Sequence, residues 1–293
     1  MVGIWIAGAA GIVSALTAGM WALGAKSQQP RRKPIEQEPD VPYELLRFAS
    51  GGVPMIGWLL KPAADEGRLL PAVVIAHGWG SNRSRVLRYA RPLFDAGYAV
   101  FLYDARAHGE SGHMKAPSGF MFRDDVEAAV DALSRQPGID AERLAVLGHS
   151  IGGFGALHAY GRGLPIRALV TDATPLRWET MLRSELKKHK LPGFMGAILS
   201  AIWFKRAGIR KEQLERTDAG AWLAANHSNE AKPLLMVHSL RDDVIPPDDL
   251  RMLTDRYPIR HVYVDTPGHS TSEQDPAFWD AVLPFLRQHL ADR

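Results

Sequence analysis

Strands and helices alternate along most of this chain, and this alternation restricts the fold more than any other feature. Apolar segments typical of buried strands recur near residues 72–77, 98–103, 143–149, 166–172, 233–239 and 260–265. Helical segments separate them, near 83–96, 121–135, 151–161, 247–256 and 275–290. Strands that are joined through helices run parallel, and the helices cover both faces of the sheet. The sequence therefore predicts an α/β fold with a mostly parallel, twisted sheet, preceded by an antiparallel hairpin over residues 44–61.

The main chemical signal lies in the segment Leu144–Gly155. It reads L-A-V-L-G-H-S-I-G-G-F-G and places the pattern G-x-S-x-G between a predicted strand and a predicted helix. In that setting the pattern forms a sharp turn that lifts the serine hydroxyl clear of the sheet. The glycines on either side lack the Cβ atoms that would collide where the chain doubles back. Ser150 is therefore predicted to be a nucleophile.

A serine nucleophile needs a base, and in this architecture a histidine follows the serine along the chain. His269 lies in a loop that leaves the C-terminal end of the strand 260–265, and catalytic loops of α/β folds lie at that edge. The other histidines after Ser150 are less suitably placed in the predicted elements: His158, His189, His227, His238, His261 and His289. We therefore predict that His269 is the base.

The acid that orients the base is expected at the end of an earlier strand. Asp242 and Asp243 follow the apolar run 234–238 and emerge at the same edge of the sheet as Ser150. Asp242 is the preferred acid, whereas Asp243 is expected only to be a solvated loop residue or to cap the backbone before Pro246. Asp172, at the end of another strand, is an alternative.

Two backbone N–H groups are needed to hold the oxyanion that forms when a serine attacks a carbonyl. One is the amide after the nucleophile, that of Ile151, and the other comes from the loop after an earlier strand. That loop reads H-G-W-G at 77–80, and Trp79 is the predicted donor. The alternative is that these residues form only a tight turn, with Asn82 capping the following helix.

Together these segments resemble the loops of the α/β-hydrolase superfamily, over roughly residues 43–291. The resemblance rests on H-G-W-G-S at 77–81, Y-D-A-R-A-H-G-E-S at 103–111, G-H-S-I-G-G at 148–153, H-S-L-R-D-D-V-I-P at 238–246 and P-G-H-S at 267–270. The nearest subgroup is that of the monoacylglycerol-lipase-like and serine-aminopeptidase-like hydrolases. Ala107 and Ser239 depart from the pattern, because the family usually has glycine at both positions.

The resemblance implies a serine hydrolase in which Ser150, Asp242 and His269 form a catalytic triad. The expected reaction is cleavage of an ester or related acyl bond, without a cofactor. A serine aminopeptidase is the alternative within the enzymes. A catalytically silent hydrolase fold that serves as an interaction module is the alternative from another class, because fold alone does not settle function.

The segment between Pro175 and Lys232, about residues 175–232, is too long for an ordinary connection. It includes the apolar stretch Phe194–Phe204 and the basic run Lys187–Lys190. In the resembling family an insertion at this place forms a lid, which here predicts a small-molecule or lipid-like acyl substrate. The alternatives are that the apolar stretch packs on the core and that the basic run is a solvated face, with attraction to anionic lipid as a further reading.

Residues 2–25 carry no charge. As a helix they would span about 36 Å, which exceeds the apolar thickness of a bilayer, about 30 Å. Residues 1–25 are therefore predicted to be a single transmembrane anchor. Lys26 and the basic residues at 31–33 all follow it, so the positive-inside bias places the following domain in the cytoplasm. Residues 26–42, with four prolines, are predicted to form an extended tether to a domain at 43–293.

Composition removes several other classes of protein. The chain has no cysteine, so it has neither disulfides nor thiolate metal sites. It has no H-E-x-x-H, no Walker A lysine and no G-x-G-x-x-G, so no metal and no nucleotide cofactor is predicted. A net charge of +3 is too small to indicate nucleic acid binding. The sequence does not indicate an oligomeric state.

Overall fold

A computed structural model describes residues 2–65, 67–210, 213 and 232–292, without the side chains of residues 2–10, 12 and 13. The strands of its sheet are β1 Tyr43–Ser50, β2 Val53–Leu60, β3 Leu70–Ala76, β4 Ala99–Asp104, β5 Ile139–His149, β6 Ala168–Asp172, β7 Leu234–Arg241 and β8 Arg260–Pro267. The α-helices within the described residues are α1 Val2–Ser27, α2 Ala90–Asp95, α3 Gly119–Ser134, α4 Ile151–Gly161, α5 Trp178–Lys188, α6 Met195–Ala207, α7 Asp248–Thr254 and α8 Pro276–His289. Two 3₁₀ helices complete them, Arg83–Tyr89 and Ser272–Gln274.

The eight strands form one sheet in the order β1-β2-β4-β3-β5-β6-β7-β8. The hairpin β1–β2 and the pair β2–β4 are antiparallel, and every later pair is parallel. The predicted parallel sheet and its preceding hairpin are therefore confirmed. Because the strands from β3 onward run parallel, the loops after β3, β5, β7 and β8 all leave the same edge of the sheet.

Apolar residues fill both faces of the sheet, as the near-continuous apolar strands require. On one face α3 and α4 pack against the sheet through residues such as Phe122, Val126 and Leu157. On the other face the 3₁₀ helix Arg83–Tyr89, α2 and α8 contribute Val86, Leu93, Phe278, Val282 and Phe285. These two layers bury both faces of the sheet.

The predicted insertion between β6 and β7 contains α5 and α6. Residues 211–212 and 214–231 of the predicted lid lie outside the described residues. The two helices pack on each other where Gly196 faces Leu182 and Leu186. The apolar stretch 194–204 is divided: Leu199 is buried, whereas Phe194 is 74% exposed. The lid predicted for this segment stays a prediction.

The N-terminal segment differs from its prediction. Helix α1 forms over Val2–Ser27. None of the helices in the described part of the chain has the length and apolar character needed to cross a membrane, so the transmembrane anchor predicted at residues 1–25 has no support here. The side chains of residues 2–10, 12 and 13, on which much of that prediction falls, lie outside the described residues. The end of α1 instead packs on the domain: Gly24 contacts Ile202 of α6, and its carbonyl accepts a hydrogen bond from Trp203 Nε1 (3.0 Å).

The segment predicted as an extended tether also contacts the domain. The Asn82 side-chain amide donates to the carbonyls of Lys33 (3.0 Å) and Pro34 (2.8 Å). Glu36 pairs with Arg85, and Ile35 packs against the core. The exposed ion pair contributes little, so the buried contacts account for the path of this segment along the domain surface.

Candidate active site

The serine predicted as nucleophile sits on a strained turn. Ser150 joins β5 to α4 with φ 55° and ψ −128°, in the region that L-residues rarely adopt. The chain folds back so tightly that a Cβ at Gly148 would lie 2.5 Å from the Cα of Gly153, and one at Gly152 would lie 2.4 Å from the His77 carbonyl oxygen. Only glycine fits at both places. The turn therefore has the geometry of a nucleophile elbow.

The structure brings the three residues predicted as a triad together. The Nε2 atom of His269, in the loop after β8, lies 2.8 Å from Ser150 Oγ. Its Nδ1 atom lies 2.8 Å from Oδ2 of Asp242, in the loop after β7. If Nδ1–H donates to the carboxylate, Nε2 is free to accept the serine proton, which is the arrangement that nucleophilic catalysis by serine requires.

Asp242 is held in place as an anion. Its side chain is buried, and its Oδ1 accepts hydrogen bonds from the amides of Val244 and Ile245, both at 2.8 Å. Burial acts against the charge, but hydrogen bonds from His238 and His269 hold the pKa of Asp242 well below its usual range. A buried carboxylate with this many donors orients a histidine and stabilises its protonated form.

His238, which the sequence left as a weaker candidate for the base, lies on the far side of Asp242. Its Nε2 donates to the Ile245 carbonyl (2.8 Å) and lies 3.5 Å from Asp242 Oδ2. Burial opposes the protonation of His238, but its contact with Asp242 leaves the pKa raised. His238 thus supports the acid and does not contact Ser150.

The alternative acids lie elsewhere. Asp243 is exposed, in agreement with its expected role in the loop. Asp172 is buried, and its Oδ2 lies 3.2 Å from Nδ1 of His149, so it pairs with a different histidine. His158 and His261 lie in α4 and β8, as predicted, and His227 lies outside the described residues.

The predicted oxyanion donors, Trp79 and Ile151, line the same cavity as Ser150 and His269. The loop after β3 approaches the elbow so closely that a Cβ at Gly78 would lie 2.9 Å from the Cβ of Ser150. Ile151 is the first residue of α4, where an amide has no partner within its helix. Asn82 also caps the 3₁₀ helix that follows, so the capping role foreseen as the alternative occurs as well.

His77, for which no role was predicted from the sequence, holds this loop in place. Its Nε2 accepts a hydrogen bond from the Ala105 amide (3.0 Å), and its Nδ1 lies 2.8 Å from the Gly78 carbonyl oxygen. Burial lowers the pKa of His77, which keeps the ring neutral and able to make both bonds. The sequence feature that could have indicated this role is the position of His77 at the start of H-G-W-G, directly after a buried strand.

The two departures from the family pattern are accommodated locally. Ala107 takes the left-handed conformation that glycine would adopt, with φ 64°. The Ser239 hydroxyl donates to the Thr266 carbonyl (2.5 Å) and accepts from the Arg241 amide (3.2 Å). Ser239 therefore ties the end of β7, before the acid, to the end of β8, before the base.

The elbow opens into a cavity of about 330 Å³. Its wall is mainly apolar and aromatic and comes from the loop after β3, the start of α3 and the loop before it, the elbow and α4, the insertion and the loop after β7: Trp79, Pro117, Phe120, Ile151, Phe154, Pro175, Trp178, Met181, Trp203, Phe204, Ile209, Val244 and Ile245. Ser27 and Gln28, at the end of α1, also line it. Among the described residues, one carboxylate lines the cavity, that of Glu185, and it lies 3.4 Å from both Lys188 and His189.

The described residues contain no group of three or more side chains placed to hold a metal ion.

Comparison with known proteins finds one matching family model and several similar sequences. The sequence model of the family described as serine aminopeptidase, S33, matches residues 68–210, just under half of the chain. The uncharacterized protein YfhR of Escherichia coli K12 is 26% identical over 201 residues, which cover 68% of this chain and 62% of that relative. The chain thus spans about three fifths of the relative's length.

Solved structures show the same fold at low identity. The Pyrococcus furiosus esterase Pf2001 has a TM-score of 0.69 and 22% identity, covering 90% of this chain and 97% of the esterase chain. The Pyrococcus horikoshii acylaminoacyl peptidase has a TM-score of 0.65 and 18% identity, covering 87% of this chain and 43% of the peptidase chain. The sheet topology and the strained serine turn show that this chain has the α/β-hydrolase fold, and its residues 68–210 are similar to the serine aminopeptidase family.

Proposed function

We propose that this protein is a serine hydrolase that cleaves a carboxylic ester or related acyl bond through an acyl-enzyme intermediate. The observation that carries the proposal is the continuous hydrogen-bonded chain Ser150–His269–Asp242 at the mouth of an apolar cavity. Ser150 attacks the substrate carbonyl while His269 takes the serine proton. His269 then gives the proton to the leaving group, which departs and leaves the acyl group on Ser150. Water attacks this acyl group with His269 again as the base, which releases the carboxylic acid and restores Ser150.

The remaining groups act on charge and orientation. Asp242 holds His269 in the tautomer that accepts the serine proton and stabilises the imidazolium that forms. The amides of Trp79 and Ile151 donate hydrogen bonds to the oxyanion, where preorganised donors stabilise the transition state most.

The cavity wall favours an uncharged acyl group over a free amino terminus. A buried ammonium group needs a carboxylate partner, because an unpaired charge is costly to remove from water. Glu185, a carboxylate on the cavity wall, is already shared between Lys188 and His189. This supports an ester substrate, presented by a small molecule or a lipid-like one, over the amino terminus of a peptide.

A peptidase is the second candidate, because the matching family model is that of a serine aminopeptidase. The two candidates share the triad and differ in the leaving group. The cytoplasmic location predicted from the sequence remains a prediction.

The proposal is tested by labelling the full chain with a fluorophosphonate, which reacts with activated serines. We expect labelling of the wild type, none of Ser150→Ala, and a reduction by orders of magnitude in His269→Ala. A folded wild type that does not react, or a Ser150→Ala variant that reacts fully, would contradict it and favour a catalytically silent fold.

A second experiment separates the esterase from the peptidase by comparing the turnover of p-nitrophenyl esters with that of aminoacyl p-nitroanilides. Faster cleavage of the anilides would establish the peptidase.

A further inference from the structure

A second buried aspartate–histidine pair lies behind the proposed triad. His149 ends β5 and Asp172 ends the neighbouring strand β6, where the two residues are in register. Asp172 Oδ2 lies 3.2 Å from His149 Nδ1, and it also accepts a hydrogen bond from the Tyr89 hydroxyl (2.5 Å). Both side chains of the pair are almost fully buried, at 4% and 0% exposure. The backbone carbonyl of Asp172 also accepts the Ser150 amide (2.9 Å), so this pair is attached to the elbow itself.

The pair reaches the loop of the proposed base. His149 Nε2 lies 3.2 Å from the hydroxyl of Ser270, the residue after His269. The rings of His149 and His269 also contact each other, with centroids 4.9 Å apart. With Nδ1–H donated to Asp172, His149 Nε2 carries a lone pair and accepts the Ser270 proton.

Burial keeps the ring of His149 neutral, although the carboxylate of Asp172 acts in the opposite direction. Asp172 faces it from β6, Tyr89 and Arg88 from the 3₁₀ helix Arg83–Tyr89, and His269 from the loop after β8. Burial, followed by the charge of Arg88, lowers the pKa of His149 to about 4. Arg88 is in turn paired with Glu273 (3.2 Å). A neutral ring at this place adds no positive charge beside His269 when His269 becomes protonated during the reaction.

We propose that His149, oriented by Asp172, is a positioning residue for His269, which it acts on through the Ser270 hydroxyl and through ring contact. The hydroxyl bond fixes the loop on the C-terminal side of His269, while the ring limits how far the imidazole can turn. This holds Nε2 at the serine and Nδ1 at Asp242. The inference rests on the proposed function, in which His269 is the base.

The test measures the rate of Ser150 labelling by a fluorophosphonate in the full chain as a function of pH. It compares the wild type with Ser270→Ala, His149→Phe and the double variant. Ser270 is exposed, so its truncation leaves the core intact, whereas His149→Phe keeps an aromatic ring but loses both hydrogen bonds. His158→Phe is the matched control, because the pKa of His158 is also lowered by burial to about 4 and its ring contacts Phe154, not His269.

We expect Ser270→Ala and His149→Phe each to lower the limiting rate by up to about tenfold, as small misplacements of a catalytic group do. The midpoint of the pH profile should also move to lower pH, because a loosened contact with Asp242 stabilises the His269 imidazolium less. The labelling rate of the double variant should be little lower than the rates of the single variants, because both substitutions remove the same hydrogen bond between Ser270 and His149. His158→Phe should match the wild type.

Two results would overturn the inference while leaving the proposed function standing. One is a wild-type rate and midpoint in Ser270→Ala and His149→Phe; the other is losses in the double variant that simply add. A role confined to stability would lower the melting temperature but leave the midpoint unchanged, and it would count against the inference in the same way. A wild type that does not react at any pH would overturn the proposed function and this inference together.

Discussion

Among single residues, Asp242 and its neighbour Asp243 offer the sharpest comparison. They carry the same functional group one position apart, yet only Asp242 lies at His269 Nδ1, at 2.8 Å, whereas Asp243 is exposed. We expect Asp242→Asn to slow ester hydrolysis or serine labelling by at least about a hundredfold, because an amide favours the wrong histidine tautomer. Asp243→Asn should stay close to the wild type. Measured rates in the reverse order would assign the acid to Asp243.

A second residue-scale prediction concerns stability and pH. His108 is fully buried among the rings of His77, Trp79 and Phe122. Burial, then the nearby His77, lowers its pKa from 6.5 to about 3. Unfolding between these pH values takes up a proton, so the stability that depends on neutral His108 is fully present above pH 6.5 and is lost as the pH falls.

His108→Phe removes this titration. Between about pH 7 and about pH 4.5, the free energy of unfolding of the wild type should therefore fall by up to about 3 kcal/mol more than that of the variant. Urea unfolding of both proteins across this range measures the difference. Curves that run parallel would show that His108 does not take up a proton on unfolding.

Among the structural elements, the end of α1 is the one whose role differs most from the sequence prediction. Gln28 is buried, and its amide donates to the carbonyls of Pro117 and Trp203, both at 3.2 Å, while its oxygen accepts from Arg206 Nε (2.9 Å). It thus joins the end of α1, the loop before α3 and helix α6 at the cavity wall. We expect Gln28→Ala to raise KM for long acyl esters several-fold, because one buried and two part-buried partners lose their hydrogen bonds and the wall loosens.

Gln29→Ala is the matched control for this element. Gln29 has the same side chain and donates to the Lys115 carbonyl (2.8 Å), but it does not line the cavity. Hydrolysis of a long and of an acetyl ester by the two variants gives the readout. An equal rise in KM for both esters, or the same change in Gln29→Ala, would argue against a role of Gln28 in the acyl-binding wall.

The sequence could predict those elements whose cause is local. Apolar strands such as Val73–Ala76 and the G-x-S-x-G turn depend on neighbouring residues, so the sheet and the elbow follow from the pattern. The strand-end rule then placed Asp242 and His269 beside Ser150. The pairing of Asp172 with His149, and the packing of α1 on α6, depend on residues more than twenty positions apart, and hydropathy gives no signal for such contacts. Residues 2–25 were apolar enough to predict a membrane anchor, yet composition could not show that Gly24 faces Ile202.

For the whole molecule, the cavity between sheet and insertion sets the expected substrate range. Its wall is mainly apolar, and each methylene that it removes from water contributes about 0.8 kcal/mol, which is about a fourfold gain in affinity. Lengthening a p-nitrophenyl ester from two to eight carbons should therefore raise kcat/KM stepwise until a volume of about 330 Å³ is filled, after which the curve should level or fall. The measurement is a chain-length series on the full chain, with Ser150→Ala as the blank. If acetate or butyrate were best and longer esters were excluded, the cavity would be closed to acyl chains in solution and the lipid-like substrate would be wrong.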